Sequence, residues 1–155
     1  MVRSLILELN TLKLERVNGS SAHALILYNI LKKRDTKTNI SHKKIPTLKQ
    51  HVNFINSLPY RYWFIIKKSR SVLGSIYVTR SNEISISLLK KSTKNFSEVL
   101  SLITNNIKPL PAIASKRNGK FILNLSPSNK FYNKLLKSIG AKKIQETFLL
   151  SDNNI

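Results

Sequence analysis

The sequence predicts a mixed α/β domain, and two observations carry that reading. Stretches with apolar residues at every second position alternate with stretches of helical period, in the order β-α-α-β-β-β-α-β-α-β. The 155 residues hold no repeat and no internal linker, so they fit one domain spanning residues 1–155. A domain of that size buries roughly 70% of the surface of its unfolded chain.

Leu12, Leu14 and Val17 face opposite to Lys13 and Glu15, which predicts a first strand with residues 5–9 as its lead-in or extension. Gly19-Ser20-Ser21 caps a helix over 22–33 with the stripe Ala22, Leu25, Ile26, Asn29 and Ile30. Residues 34–44 are polar, basic and unpatterned, a loop. Pro46-Thr47 opens a second helix. Thr47 and Gln50 form a capping box, and Leu48, Val52, Ile55 and Leu58 form the buried face up to Pro59. His51, between Leu48 and Val52, reads as structural.

Residues 60–67 (YRYWFIIK) are a near-continuous apolar run rich in aromatic and branched side chains, which suits a central strand. The next strand covers 72–79, with Gly74 either bulged or closely approached by another backbone. A turn at 80–82 leads to a strand over 82–89 with Ile84, Ile86 and Leu88 on one face and Glu83, Ser85 and Ser87 on the other. A basic loop, 90–94, precedes a third helix bearing Phe96, Val99, Leu100, Ile103 and Ile107. Residues 108–120 form a loop with room for a short strand at 112–115, and 121–125 a strand. Ser126 caps a fourth helix with Pro127 in its first position and the stripe Phe131, Leu135, Ile139 beside Tyr132 and Leu136. Gly140 stops it, and residues 142–150 form a closing strand.

Lys and Arg number 27 against 7 Asp and Glu, a net charge of +20. Such a field attracts polyanions: nucleic acid, a membrane surface, a nucleotide cofactor. The basic residues are spread along the chain without a dedicated stripe. There is no cysteine, hence no disulfide framework, and His23, His42 and His51 lack metal-site spacing, so no metal is expected. The start lacks the apolar run of a signal peptide and no segment approaches the roughly 20 apolar residues of a membrane span, so a soluble cytoplasmic protein is expected, with no membrane partner.

This element order, the strand at 82–90, and the run 124–140 with its Asn-x-x-Pro-x-Asn start together resemble the GNAT (GCN5-related) superfamily of acetyl-CoA-dependent N-acetyltransferases over nearly the full chain. The resemblance implies a mostly antiparallel sheet of about six strands, flanked by about four helices and splayed between its fourth (82–89) and fifth (121–125) strands with help from a bulge in the fourth. It implies that the pantetheine arm of acetyl-CoA pairs with backbone of Ser87, Leu88 and Leu89, and that Asn124 and Asn129 assist. The pyrophosphate would sit at the start of the third helix, where aligned amides and the helix dipole favour an anion. The family's loop there is glycine-rich. Residues 90–96 (KKSTKNF) hold no glycine and form a shorter loop; Ser92, Thr93 or Asn95 can cap the helix, and Lys90, Lys91 and Lys94 can hold phosphates by charge. Glu83 matches the family's base near the fourth strand. The family's tyrosine acid is replaced by Leu135-Leu136, with Tyr132 one turn earlier as its substitute.

Residues 60–63, all aromatic or basic, either border an acceptor pocket or fill the core. Two functions follow: acetyl transfer to a primary amine of a small molecule or protein, or a non-catalytic binding module whose charge holds nucleic acid or an acidic protein partner.

Overall fold

The computed structural model describes residues 6–34, 44–148 and 150. Its elements are β1 (Ile6–Leu9), β2 (Leu12–Arg16), α1 (Ser21–Lys33), α2 (Leu48–Asn56), β3 (Tyr62–Lys68), β4 (Ser71–Val78), β5 (Glu83–Leu88), α3 (Thr93–Asn106), β6 (Ile122–Leu123) and α4 (Lys130–Ser138). The strands form one six-stranded sheet in chain order. Every neighbouring pair is antiparallel except β5 and β6, which run parallel.

The sheet separates two apolar layers. On one face Phe64, Ile66, Ile76, Val78 and Ile84 pack with Val99, Leu102 and Ile103 of α3. On the other, Ile65 packs with Ala24, Leu27 and Ile30 of α1 and Ile55 of α2. Each layer collects alternate residues of the same strands, as a period of two requires. α4 docks on α3 through Tyr132, stacked on Phe96 with ring centroids 4.4 Å apart.

Several expectations change. The lead-in at 5–9 is a strand of its own, turned onto β2 through Asn10 at φ 54°. α1 buries His23, Ala24, Leu27 and Ile30, while Leu25 is exposed. This helix is apolar nearly all round, so its period alone does not choose a face. His23 belongs inside because its ring is satisfied there: Nδ1 accepts from the Asn18 amide and Nε2 donates to Glu15. Glu15 also takes Lys67, whose hydrogen bond holds the carboxyl below its ordinary pKa.

α2 has the expected capping box at Thr47 and Gln50. Its buried residues are His51 and Ile55; Leu48 is exposed, and Leu58 lies past the helix end at φ 49°. The loop at 34–44 falls mostly outside the described residues. The strand expected at 112–115 is a single bridge between Ile113 and Arg117. α4 starts later than expected, with Asn129 as its N-cap, because residues 126–129 close a turn of their own through Asn129 N–H to Ser126 O. Gly140 ends it at φ 83° in a Schellman motif, its amide on Lys137 O and that of Ala141 on Leu136 O. Residues 142–148 do not form the closing strand, and Ile144 and Phe148 are exposed. β6 is two residues long, too short an edge to register a nine-residue partner.

The expected bulge lies one strand over. The β3–β4 register shifts between Ile66 and Lys67, leaving Leu73 of β4 without a β3 partner, whereas β5 pairs with β4 without interruption. Gly74, beside the bulge, is also the site of a close approach: a Cβ there would lie 1.9 Å from Ser87 O.

Candidate active site

The parity of the β4–β5 ladder decides which backbone groups of β5 are open. Leu89 N–H bonds Leu73 O at 2.8 Å, and Thr79 N–H bonds Glu83 O at 2.9 Å. Residues that bond one neighbour alternate with residues that face the other way. The odd-numbered residues of β5 therefore serve β4, while Ile84, Ile86 and Leu88 direct their amides and carbonyls to the opposite edge. Ile122 N–H reaches Asn82 O at 3.0 Å in keeping with that parity. β6 pairs only with Glu83 and Ile84 and then leaves the sheet. Beyond Ile84, no strand among the described residues pairs with the outer edge of Ile86 and Leu88, and β5 and β6 part there in a V. Of the three residues expected to offer backbone here, Leu88 faces the V; the Ser87 backbone faces β4, and the Leu89 amide is already bonded to β4.

The V runs into the start of α3. Ser92 is the N-cap, its hydroxyl accepting from Asn95 N–H at 3.1 Å, and its carbonyl takes Phe96 N–H at 3.1 Å. The amides of Thr93 and Lys94 have no partner within the helix. No acidic residue occupies the first turn, and Lys90, Lys91 and Lys94 are exposed around it. This end of the helix presents donors and positive charge together.

On the α1–α2 face of the sheet, cross-strand partners form polar rows beside the V. Ser75 pairs with Ser87, and Tyr77 with Ser85. Glu83, half-buried, completes the row: Oε2 accepts from the Thr79 hydroxyl at 3.3 Å and Oε1 from Asn124 Nδ2 at 3.2 Å. Both carboxylate oxygens are thus oriented from either side. Asn124, expected on the cofactor, here holds Glu83. The Thr79 contact went unnoticed in the sequence; its signal was the four-residue spacing across a tight turn.

Tyr132 is buried, and its hydroxyl has no hydrogen-bond partner. Burial raises its pKa; the nearby Ser92 backbone draws it back somewhat without reaching hydrogen-bond geometry. The hydroxyl therefore stays protonated at neutral pH. Asn129 caps α4 by accepting from Tyr132 N–H at 3.4 Å, so its side-chain oxygen is engaged in the helix start.

Residues 60–63 divide between both faces. Tyr60 stacks on Tyr77 at 3.8 Å and meets Trp63 edge-on at 5.0 Å, extending the row from Ser85 toward α2. Burial, reinforced by Tyr77, pushes the Tyr60 hydroxyl far above its ordinary pKa. His51 lies against Tyr28 and Trp63, and burial lowers its pKa. Its Nε2 and the Trp63 indole N–H are buried without partners. Two concavities, of about 50 and 410 Å3, lie on this α1–α2 side rather than in the V. Among the described residues, no His, Cys, Asp and Glu group could hold a metal, and no helix is long and apolar enough to cross a membrane.

A mixed sheet splayed between β5 and β6, with a helix start at the mouth of the splay, is the fold of the GNAT N-acetyltransferases. The chain is similar to RimL, a ribosomal L7/L12 alpha-N-protein acetyltransferase solved in complex with coenzyme A, with a TM-score of 0.62 and 10% identity over 88% of this chain and 83% of that one. A ligand-free RimL structure gives 0.58, with 12% identity over 87% of this chain and 79% of that one. The Salmonella typhimurium acetyl transferase that modifies the N-terminal serine of ribosomal protein L7/L12 gives 0.59, with 14% identity over 88% and 84%. No protein-family model matches the sequence, and no curated protein matches it.

Proposed function

We propose that this chain is an acetyl-CoA-dependent N-acetyltransferase acting on a primary amine. The observation that carries the reading is the open backbone edge of Ile86 and Leu88, ending at a helix start that presents amides and lysines but no carboxylate. The edge suits the amide-bearing pantetheine arm, and Lys90, Lys94 and the first-turn amides of Thr93 and Lys94 suit the pyrophosphate, with Asn95 holding the Ser92 cap beneath them. Acetyl-CoA supplies the acetyl group as an activated thioester. Glu83, its carboxylate fixed by Thr79 and Asn124, takes the proton of the acceptor ammonium. Backbone amides of β5 stabilise charge developing on the carbonyl oxygen. Tyr132 holds a proton next to the α3 start and is the acid this chain offers. Asn129 supports that arrangement by fixing the α4 start on which Tyr132 sits. The acceptor amine belongs to a small molecule or a protein, as in the protein-modifying neighbours.

A second reading has its own support. The glycine-free loop at 90–94 and the sealed Tyr132 hydroxyl suit a chain that keeps the fold as a basic binding module, with nucleic acid or an acidic protein as ligand. Thermal unfolding with acetyl-CoA decides between them. Cofactor at 100 times its dissociation constant adds about 2.7 kcal/mol, a rise in Tm of roughly 5–11 °C at this chain length. Lys94→Glu is expected to shrink that rise. No shift at millimolar acetyl-CoA removes the enzymatic reading.

A further inference from the structure

α2 is nine residues long and buries only two side chains, His51 and Ile55. A helix so short is marginal alone, so its place depends on those contacts. The seam it shares with α1 is incompletely packed, with the concavity of about 410 Å3 lined by Ala24, Leu25, Leu48 and Val52, among others. Ile55 joins the apolar layer with Ala24, Leu27 and Ile65. His51 sits instead against two rings, Tyr28 of α1 at 5.5 Å and Trp63 of β3 at 6.5 Å between centroids. Its Nε2 is buried without a hydrogen-bond partner. The surroundings suit a neutral imidazole only. The Tyr28 hydroxyl is engaged with Pro46 O at 3.1 Å, and the Trp63 indole offers a donor where an imidazolium needs an acceptor. Lys32 Nζ already lies 5.0 Å from the centre of the Tyr28 ring, so a cation at His51 would share that ring with a like charge. On α2 itself the adjacent cation, Lys49, is exposed, and beyond Trp63 stand the rings of Tyr60 and Tyr77. No described carboxylate answers the charge. Glu8 is paired with Lys13, Glu15 with Lys67 and His23, and Glu146 with Lys143; Glu83 is held by Thr79 and Asn124, and Glu98 belongs to α3 across the sheet.

We propose that His51 makes α2 a proton-released clasp: taking up a proton frees α2 from α1 and the sheet and lifts Phe54 off the aromatic row beneath it. Phe54 meets Tyr60 at 5.8 Å and Trp63 at 6.1 Å, and from Trp63 the row runs through Tyr77 to Ser85, on the same face as Glu83. That the uncovered row serves an acceptor rests on the acetyltransferase reading; the release of α2 does not. A histidine kept neutral by the docked helix binds its proton more readily once the helix is released, in keeping with the lowering of its pKa by burial. The clasp is therefore firm above about pH 6.5, the ordinary histidine value, weakens as pH falls below it, and stops weakening once the docked state is protonated too. α3 and its layer lie on the other face of the sheet and keep their packing when α2 leaves.

Trp63 is the sole tryptophan and lies against His51, so its emission reports the contact directly. The protein is titrated from about pH 7.5 to about pH 5 at constant ionic strength. The parent's emission is expected to shift to the red as water reaches Trp63, with a midpoint below the ordinary histidine value. His51→Phe keeps a ring between Tyr28 and Trp63 but takes no proton, and its emission stays constant. His51→Gln, smaller and also uncharged, gives the same flat profile. Both variants retain His23 and Glu15, so they subtract the titration of that pair. Amide hydrogen exchange, corrected for its intrinsic pH dependence, separates release of α2 from loosening of the whole chain. Over the same range, residues 48–56 of the parent exchange about fivefold faster or more at the acid end, while α3 changes less than about twofold. In both variants neither helix changes by more than that. A red shift that persists in both variants, α3 amides that accelerate as much as those of α2, or an NMR titration that places His51 at or above the ordinary histidine value would each overturn the proposal. Absence of any thermal shift with acetyl-CoA, with these results intact, sinks the acetyltransferase reading alone.

Discussion

Asn82 is the residue whose importance is greatest relative to its visibility. It sits in a turn at φ 64°, where asparagine is tolerated better than most residues, and it is fully buried. Its side chain donates to Leu110 O at 2.8 Å and Asn118 O at 2.7 Å and accepts from Leu110 N–H at 2.7 Å. Those three bonds tie the irregular segment 108–120 to the start of β5, one residue before Glu83. Removing them leaves an amide and two carbonyls unsatisfied in the interior. Asn82→Ala is expected to cost about 3–5 kcal/mol, since each orphaned buried group costs about 1–3 kcal/mol. Asn82→Asp keeps the acceptor for Leu110 N–H but turns a carboxylate oxygen toward two carbonyls, so it destabilises at least as much. Urea midpoints of the three proteins test this; a loss below 1 kcal/mol for Asn82→Ala would show that the loop holds itself. In the sequence Asn82 reads as an ordinary turn residue, because the partners that make it structural lie 28 and 36 positions away.

Among the elements, those with an unambiguous period were legible and those with a redundant one were not. The strands at β3, β4 and β5 and the helix α3 follow from alternation and from the Phe96, Val99, Ile103 spacing, and all formed where expected. α1 has apolar residues on every side, and its buried face was settled by hydrogen bonds to a histidine. The closing strand failed because strand formation depends on a partner edge that no local pattern describes. Within the candidate site the β5 strand could be read directly from its alternation, but that the Leu88 backbone, and not that of Ser87, faces away from β4 depends on cross-strand parity. Gly74 shows how tight that ladder is. With Ser87 O 1.9 Å from where a Cβ would stand, Gly74→Ala must push β5 away from β4. The expected cost is about 3 kcal/mol or more, a fall in Tm of at least roughly 6 °C for a chain of this length. Because Ser87 and Leu88 move with the strand, any stabilisation by acetyl-CoA should shrink in the same variant. Calorimetry with and without cofactor measures both effects, and a variant that melts like the parent would mean the two backbones are not in contact.

At the scale of the whole molecule, charge is the property that local structure does not explain. The sheet and its two apolar layers would form equally well with a balanced surface, yet cations exceed acids by 20. Glu8 and Glu15 are paired within the β1–β2–β3 corner and with α1, Glu146 with Lys143, and Glu83 is held by neutral donors, so the acids offset little of the surrounding field. Exposed like charges repel one another in the compact state and relax when the chain expands. Salt screens that repulsion, shortening its range from about 30 Å at 0.01 M to about 10 Å at 0.1 M. The melting temperature should therefore rise as sodium chloride goes from 10 to 200 mM, the opposite of a fold held by surface ion pairs. The Glu15 cluster is partly buried and loses less to screening, so it should not reverse the trend. A Tm that falls with salt would mean that specific pairs, and not net repulsion, dominate the surface.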